Sequence, residues 1–270
     1  MQMPSLETLL ADLELITLAA IEGGALARQH LVTGIKREVN KTEGDPYVTA
    51  ADRAIDRHLH NILTTARPGY GWLSEEFMNE PDQIQREFCF VVDPIDGTRA
   101  YCHIGREFAV SVGLLYHGQP LLGAVYRPVE HQLLTGGLGV GVFKDGQAVT
   151  RQATPPPPPT KPRLVVGYRE EKRGRFEAMA GDYTIEVHGS IAYRYGLVAT
   201  GYAHAAVSYH ELSLWDVAAG HALARAMGCD VTLLNGQPID YTAADFTIPP
   251  GSLCGPTPAL PALQAQFQLG

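Results

Sequence analysis

The sequence is poor in cysteine, in positive charge and in long apolar runs. Four cysteines (Cys89, Cys102, Cys229, Cys254) in 270 residues, none at CxxC spacing, make neither a disulfide framework nor a structural zinc site, and read as free thiols of a reducing compartment. The ten histidines include no HExxH, since His210-Glu211 is followed by Leu-Ser-Leu, and no cluster has zinc spacing. Lys plus Arg is 21 against 29 Asp plus Glu, a formal charge of −8. The chain therefore lacks the basic face with which a binder of nucleic-acid polymers displaces counterions. A small phosphorylated ligand stays open, with a metal ion as the natural source of positive charge. No apolar stretch is long enough to span a bilayer, and MQMPSLETLLADLELITLAAI carries acidic residues where a secretory signal carries basic ones. A soluble, cytoplasmic protein with no membrane partner is expected.

With 45% hydrophobic residues, the chain can bury one large core or two smaller ones. Leu6, Leu9, Leu10, Leu13, Ile16 and Ala20 repeat at helical spacing behind Ser5, a suitable N-cap. A second helix is predicted after Thr49, with Ile55, Leu59, Ile62 and Leu63 on one face, ending before Pro68-Gly69. From Glu87 to about Val149, short β-branched and aromatic runs alternate with turn signals at His117-Gly118 and Asp145-Gly146, the texture of a mostly antiparallel sheet. Five consecutive prolines, Pro155 to Pro159, favour a stiff polyproline II spacer. Such a run is also what an SH3-like module recognises, but here it reads as a linker between domains at 1–153 and 161–270. Beyond it, strands (RLVVGY, YTIEV, AHAAVSY, DVTLLN) alternate with helical patterns near 190–201 and 215–227, the α/β signature. Gly136 to Gly141 superficially resembles a dinucleotide loop, but it lacks GxGxxG spacing and leads into a hairpin.

The chemistry concentrates in Phe90-Val91-Val92-Asp93-Pro94-Ile95-Asp96-Gly97-Thr98, a hydrophobic strand running into a turn with two aspartates. Both ionised, they repel with no adjacent cation. A hard divalent ion such as Mg²⁺ removes that conflict, because it takes carboxylate and carbonyl oxygens. Gly97-Thr98, if it opens a helix, adds an anion site. A plain DG turn is the bland alternative. Three further acids need weighing. Glu75 in Leu73-Ser74-Glu75-Glu76 is either a ligand or half of a solvated acidic pair. Asp52 in Thr49-Ala50-Ala51-Asp52 either closes a capping box or helps a threonine hydroxyl orient water. Asp216 in Trp215-Asp216-Val217-Ala218-Ala219-Gly220 either favours its helix dipole or reaches the same ion.

Taken together, DPYVTAAD (45–52), WLSEE (72–76), VVDPIDGT (91–98) and WDVAAG (215–220) resemble the inositol monophosphatase superfamily of Mg²⁺-dependent, lithium-sensitive phosphomonoesterases. The order and spacing of all four blocks fit over essentially the whole chain. The resemblance implies an α/β fold of α+β type, a layered α/β/α/β/α sandwich, usually dimeric. It implies that Glu75, Asp93 and the Ile95 carbonyl hold one Mg²⁺, that Asp93, Asp96 and Asp216 hold a second, and that Glu75 with waters holds a looser third. Asp52, Thr98 and Glu75 become the catalytic set, with Asp52 and Thr98 activating the attacking water and the Gly97 and Thr98 amides cradling phosphate. Attack is in line on phosphorus with no covalent phosphoenzyme. On the repulsion argument alone, Asp96→Asn is expected to stop turnover with little loss of stability.

Within the superfamily the chain leans to the 3'(2'),5'-bisphosphate nucleotidase branch, whose substrate is 3'-phosphoadenosine 5'-phosphate. GREFAVSVGLL (105–115), Gly220-His221-Ala222-Leu223-Ala224 and Gly236-Gln237-Pro238-Ile239-Asp240-Tyr241 resemble that branch. The inositol branch carries a glutamate where this chain has Tyr209, and an aromatic suits a base better than a polyol, although Glu211 lies close by. Arg99 replaces the lysine frequent after the branch's threonine and offers a fork instead of a point donor. Arg194, after Gly189-Ser190, is read either as a grip on a distal phosphate or as a solvated helix residue. Substrate contacts are thus assigned to Gly97, Thr98, Arg99, Ser190, Arg194 and Tyr209. Inositol-1-phosphatase activity, or a catalytically inactive scaffold, are the alternatives.

Overall fold

A computed structural model describes residues 3–34, 49–77, 79–150 and 161–268. Residues 45–48 and the proline run lie outside them. Seven helices are described: α1 (Leu6–Thr33), α2 (Ala50–Ala66), α3 (Thr98–Ile104), α4 (Tyr168–Lys172), α5 (Ile191–Ala199), α6 (Leu214–Ala226) and α7 (Leu260–Phe267). The first sheet runs in sequence order through β1 (Gly71–Ser74), β2 (Phe88–Asp96), β3 (Ala109–Tyr116), β4 (Gln119–Arg127), β5 (Gln132–Gly137), β6 (Gly141–Lys144) and β7 (Gln147–Ala148). The second contains β8 (Arg163–Val166), β9 (Thr184–Val187), β10 (Ala205–Ser208), β12 (Cys229–Leu233) and β14 (Ser252–Pro256), in the order β12-β14-β10-β8-β9. A small ribbon pairs β11 (Leu212–Ser213) with β13 (Thr247–Ile248).

Strand alternation makes the layers. In β2, Phe90 and Val92 face a core shared with α1 and α2, while Cys89 and Val91 face a second core shared with α5 and α6. In β8, Val165 joins that second core and Leu164 and Val166 face a third, closed by Leu260, Leu263 and Phe267 of α7. Period-two side chains buried on both faces force helices onto both sides of each sheet. Three cores between five layers give the α/β/α/β/α sandwich. All four cysteines are buried free thiols.

Local signals place the ends. Ser5 caps α1 by accepting from the Thr8 amide at 3.1 Å, and α1 continues well past Ala20 to Thr33. The expected antiparallel sheet is present, except that β1 joins β2 in parallel. The hairpin at Asp145-Gly146 has both residues at positive φ, 51° and 77°, the geometry a tight hairpin turn requires. Helix α4 was not anticipated from the sequence. One close approach matters for the site. Gly113 on β3 and Gly123 on β4 present bare backbone to α6, and a β-carbon added at Gly123 would lie 2.2 Å from the Ala219 carbonyl oxygen. These two glycines let α6 lie flat on the first sheet, which brings its N-terminus to the end of β2. Gly123→Ala should therefore push α6 away and destabilise the protein by about 1–3 kcal/mol. A thermal unfolding midpoint equal to wild type would contradict this packing.

Candidate metal and phosphate site

Strand register delivers the first acids. Ser74 pairs with Val92, so Glu75 leaves β1 beside Asp93, its amide donating to the Val92 carbonyl at 3.3 Å. The aspartates lie within β2 and not in a turn beyond it: the strand runs through Asp96 with a register shift between Asp93 and Asp96. Pro94 suits that irregularity because it has no amide to give to the ladder. Gly97 then adopts φ 99° and opens α3, and the Thr98 hydroxyl donates to the Ile95 carbonyl at 2.9 Å.

Each remaining acid also fills a structural role at a helix start. Asp52 closes the capping box of α2, with Oδ2 accepting from the Thr49 amide at 2.8 Å and from its hydroxyl, while Oδ1 accepts from the Thr98 hydroxyl at 3.4 Å. The capping and catalytic readings of Asp52 thus share one side chain. Asp216 closes the capping box of α6, Oδ2 accepting from the Ser213 amide at 2.6 Å. Asp96 receives three donors from the start of α5: the Ser190 hydroxyl at 2.5 Å, the Ile191 amide at 3.1 Å and the Ala192 amide at 2.8 Å.

Oxygens of Asp93, Asp96 and Asp216 come within 4.8 Å of one another, and Glu75, delivered beside Asp93 by the β1–β2 pairing, feels the charge of Asp216. Burial, reinforced by the neighbouring acids, holds the carboxyls of Glu75 and Asp93 well above the usual carboxylate range. The same causes push Asp216 up to about 7. Burial raises Asp96 too, against the opposing pull of its α5 donors, and lifts Asp52 to about 6 despite its threonine partners. Glu75 Oε2 is buried with no hydrogen-bond partner. A cluster of hard oxygens, mutually repelling and with one orphaned, fits a divalent cation.

Glu75, Asp93, Asp96 and Asp216 form the floor of a cavity of about 1270 Å³ that also takes in Gly97, Thr98, Arg99, Arg194, Tyr209 and Glu211. Three of the expected substrate contacts, Arg194, Tyr209 and Ser190, make contacts within the protein. Arg194 is not solvated but 2% exposed. Its guanidinium donates to the Val207 and Ser190 carbonyls at 3.3 and 3.4 Å and faces Glu170. Buried on α5 behind Ser190, it still borders the cavity. Tyr209 lines the cavity, yet its hydroxyl donates to the Phe267 carbonyl at 2.8 Å and the Arg175 guanidinium lies 4.8 Å over its ring, so one stacking face is already covered. The Ser190 hydroxyl donates to Asp96. Glu170, not foreseen, accepts from the Tyr209 amide at 3.1 Å and contacts His210 Nδ1 at 2.7 Å. His210 and Arg194 hold it down at about 2, against its burial. One of two adjacent glutamates in a charged stretch of sequence gives no sign of that depth. The two blocks at 220–224 and 236–241 meet away from the acids, where His221 bridges Asp230 and Tyr241 at 2.7 and 3.0 Å.

The inositol monophosphatase family model matches residues 11–263. The chain belongs to that family. It is thereby a phosphoric monoester hydrolase of a metal-dependent family. Among its relatives, the 3'(2'),5'-bisphosphate nucleotidase CysQ of Escherichia coli K12 is 33% identical over 247 residues, covering 87% of this chain and 95% of the relative. Inositol-1-monophosphatase ImpA of Mycolicibacterium smegmatis is 33% identical over 217 residues, covering 73% and 74%. Among solved structures, inositol monophosphatase from Anabaena superposes with TM-score 0.76 at 26% identity, covering 97% of each chain. The extragenic suppressor protein SuhB of Bartonella henselae gives 0.79 at 24%, covering 96% and 99%. Among the described residues no helix is long and apolar enough to cross a membrane.

Two measurements probe the acids. A carboxyl whose pKa is higher folded than unfolded binds extra protons when folded, so it destabilises as pH rises between the two values. In EDTA, stability should fall as pH rises above about 4, through Asp52's value of about 6 and Asp216's of about 7. Millimolar Mg²⁺ should flatten the slope and raise the melting temperature, and Asp93→Asn should lose most of that rise. A pH slope unchanged by Mg²⁺ would count against the cluster. Asp96→Asn should melt lower, by about 1–3 kcal/mol, because an amide nitrogen would face an N–H or O–H donor from α5. A variant as stable as wild type would restore the expectation from repulsion alone.

Proposed function

We propose that this protein is a Mg²⁺-dependent 3'(2'),5'-bisphosphate nucleotidase acting on 3'-phosphoadenosine 5'-phosphate by metal-activated water attack. The observation that carries the hydrolytic part is the convergence of Asp93, Asp96 and Asp216 beside Glu75. Glu75, Asp93 and the Ile95 carbonyl would hold one ion, Asp93, Asp96 and Asp216 another, and Glu75 a looser third. When bound, the ions supply Lewis-acid polarisation of the phosphate and draw off the charge that develops on it. The chain's own groups do the rest. The Thr98 hydroxyl, tethered to Asp52 Oδ1, orients the attacking water, and Asp52, raised to about 6, is a ready proton acceptor near neutrality. The Gly97 and Thr98 amides, at the start of α3, receive the phosphoryl oxygens, and Arg99 on the same turn adds a cation.

The nucleotide preference rests on the coverage and identity of the CysQ relatives. Inositol-1-phosphatase activity is the second reading, favoured by the ImpA relative and by Glu211 lining the cavity. A division at the proline run into 1–153, with most metal ligands, and 161–270, supplying Asp216, is supported by the two sheets falling on either side of it. A cytoplasmic homodimer is the corresponding cellular form.

Phosphate release with Mg²⁺ tests this reading. The bisphosphate should be turned over with at least about tenfold higher kcat/KM than inositol 1-phosphate. The reverse order would transfer the assignment to the inositol branch, and no release from either would indicate a scaffold. Thr98→Ala should lower kcat about 10²-fold with KM nearly held, as expected of a residue that orients water.

A further inference from the structure

The cavity is divided electrostatically. Its floor is acidic, but six of the chain's 21 cationic side chains line it: Arg99, Arg169, Lys172, Arg173, Arg175 and Arg194. In a chain of net charge −8 that share is out of proportion, and four of the six come from one short segment, α4 and the residues just after it. Arg169 and Arg173 are one turn apart with Lys172 between them, so the three share a face. All three are exposed, and no acidic side chain among the described residues is paired with them. Glu170 points the opposite way and is buried, fastened to Tyr209 and His210 and facing Arg194. That anchor holds the segment against the site, because Tyr209 and His210 both line the cavity.

We propose that Arg169, Lys172 and Arg173 form a subsite for a second phosphate group of the substrate, one that is not hydrolysed. This rests on the bisphosphate reading and replaces Arg194, whose donors are engaged inside the protein, as the distal grip. A carboxylate floor repels any phosphate not neutralised by metal, so a second phosphate is held only where free cations face the cavity. Such exposed guanidinium and ammonium groups attract it at long range and release it readily, with a strength that salt screens.

The test compares wild type with the triple variant Arg169→Ala/Lys172→Ala/Arg173→Ala, whose exposed positions leave folding intact. Two readouts are taken with Mg²⁺ present: the kcat/KM ratio for 3'-phosphoadenosine 5'-phosphate over adenosine 3'-phosphate, and calorimetric binding of adenosine 5'-phosphate, which carries the distal group alone. The ratio should fall about tenfold, through KM, and the Kd should rise about tenfold, both effects shrinking in 0.5 M salt. An unchanged ratio and Kd would overturn the subsite while leaving a bisphosphate-preferring wild type, and so the proposed function, standing. If wild type hydrolyses neither nucleotide, the proposed function falls and calorimetry alone decides: weaker binding by the variant upholds the subsite, and equal binding overturns it.

Discussion

The constraint on which this molecule depends is the crowding of Glu75, Asp93, Asp96 and Asp216 into one buried place. Ionised carboxylates at such range oppose folding, and burial makes the opposition worse. The surrounding structure is arranged to bear it. Asp96 is fixed by three donors from the start of α5, Asp216 by a capping box, and Asp52, nearby, by another. Helix starts carry partial positive charge and free amides, so each acid is placed where the backbone itself compensates part of its charge. Glu75, which has no such support for Oε2, is left most dependent on a cation.

The same constraint explains the layers. Glu75 and Asp93 come from adjacent parallel strands of one sheet, while Asp216 arrives on a helix between the two sheets. A helix can bring its first turn that close to a strand end only if the sheet beneath it lacks side chains, which is what Gly113 and Gly123 provide. Arg194 and Glu170 extend the arrangement towards the second sheet. Burying Glu170 costs desolvation, but its contacts with Tyr209 and His210 fix where α4 lies, so its value lies in orientation more than in stability.

How much of this the sequence discloses depends on the range of the physics involved. The caps at Ser5 and Thr49, the strand FCFVVD and the hairpin at Asp145-Gly146 are local, and spacing reveals them. The five acids were legible because their blocks resemble a family, not because anything in the chain brings residue 216 to residue 93. What escaped was depth and direction. Arg194 on a helical pattern looks like a surface residue, and only the packing of α5 between two sheets buries it. Tyr209 suggested a free aromatic face, whereas Arg175 covers one side of it. The role of Gly123 was hidden because a glycine within a strand signals only weaker pairing until the opposing helix is known.

A last consequence concerns how an acidic protein admits an anionic substrate. A net charge of −8 and a carboxylate floor should slow the approach of phosphate esters, because like charge lowers encounter rates. Two features oppose this. Divalent ions bound on the floor would reverse its sign, and cations at the cavity wall, concentrated on α4, offer a positive approach that does not depend on metal. The two act at different stages. Wall cations govern encounter and the holding of groups remote from the reacting phosphorus, so their influence falls on KM and fades with salt. On the proposed function, the metal ligands and the Thr98–Asp52 pair would act on the transition state, so theirs would fall on kcat. Selectivity between one phosphate and two can therefore change in this fold by substitution on a short exposed helix while the acid cluster stays fixed.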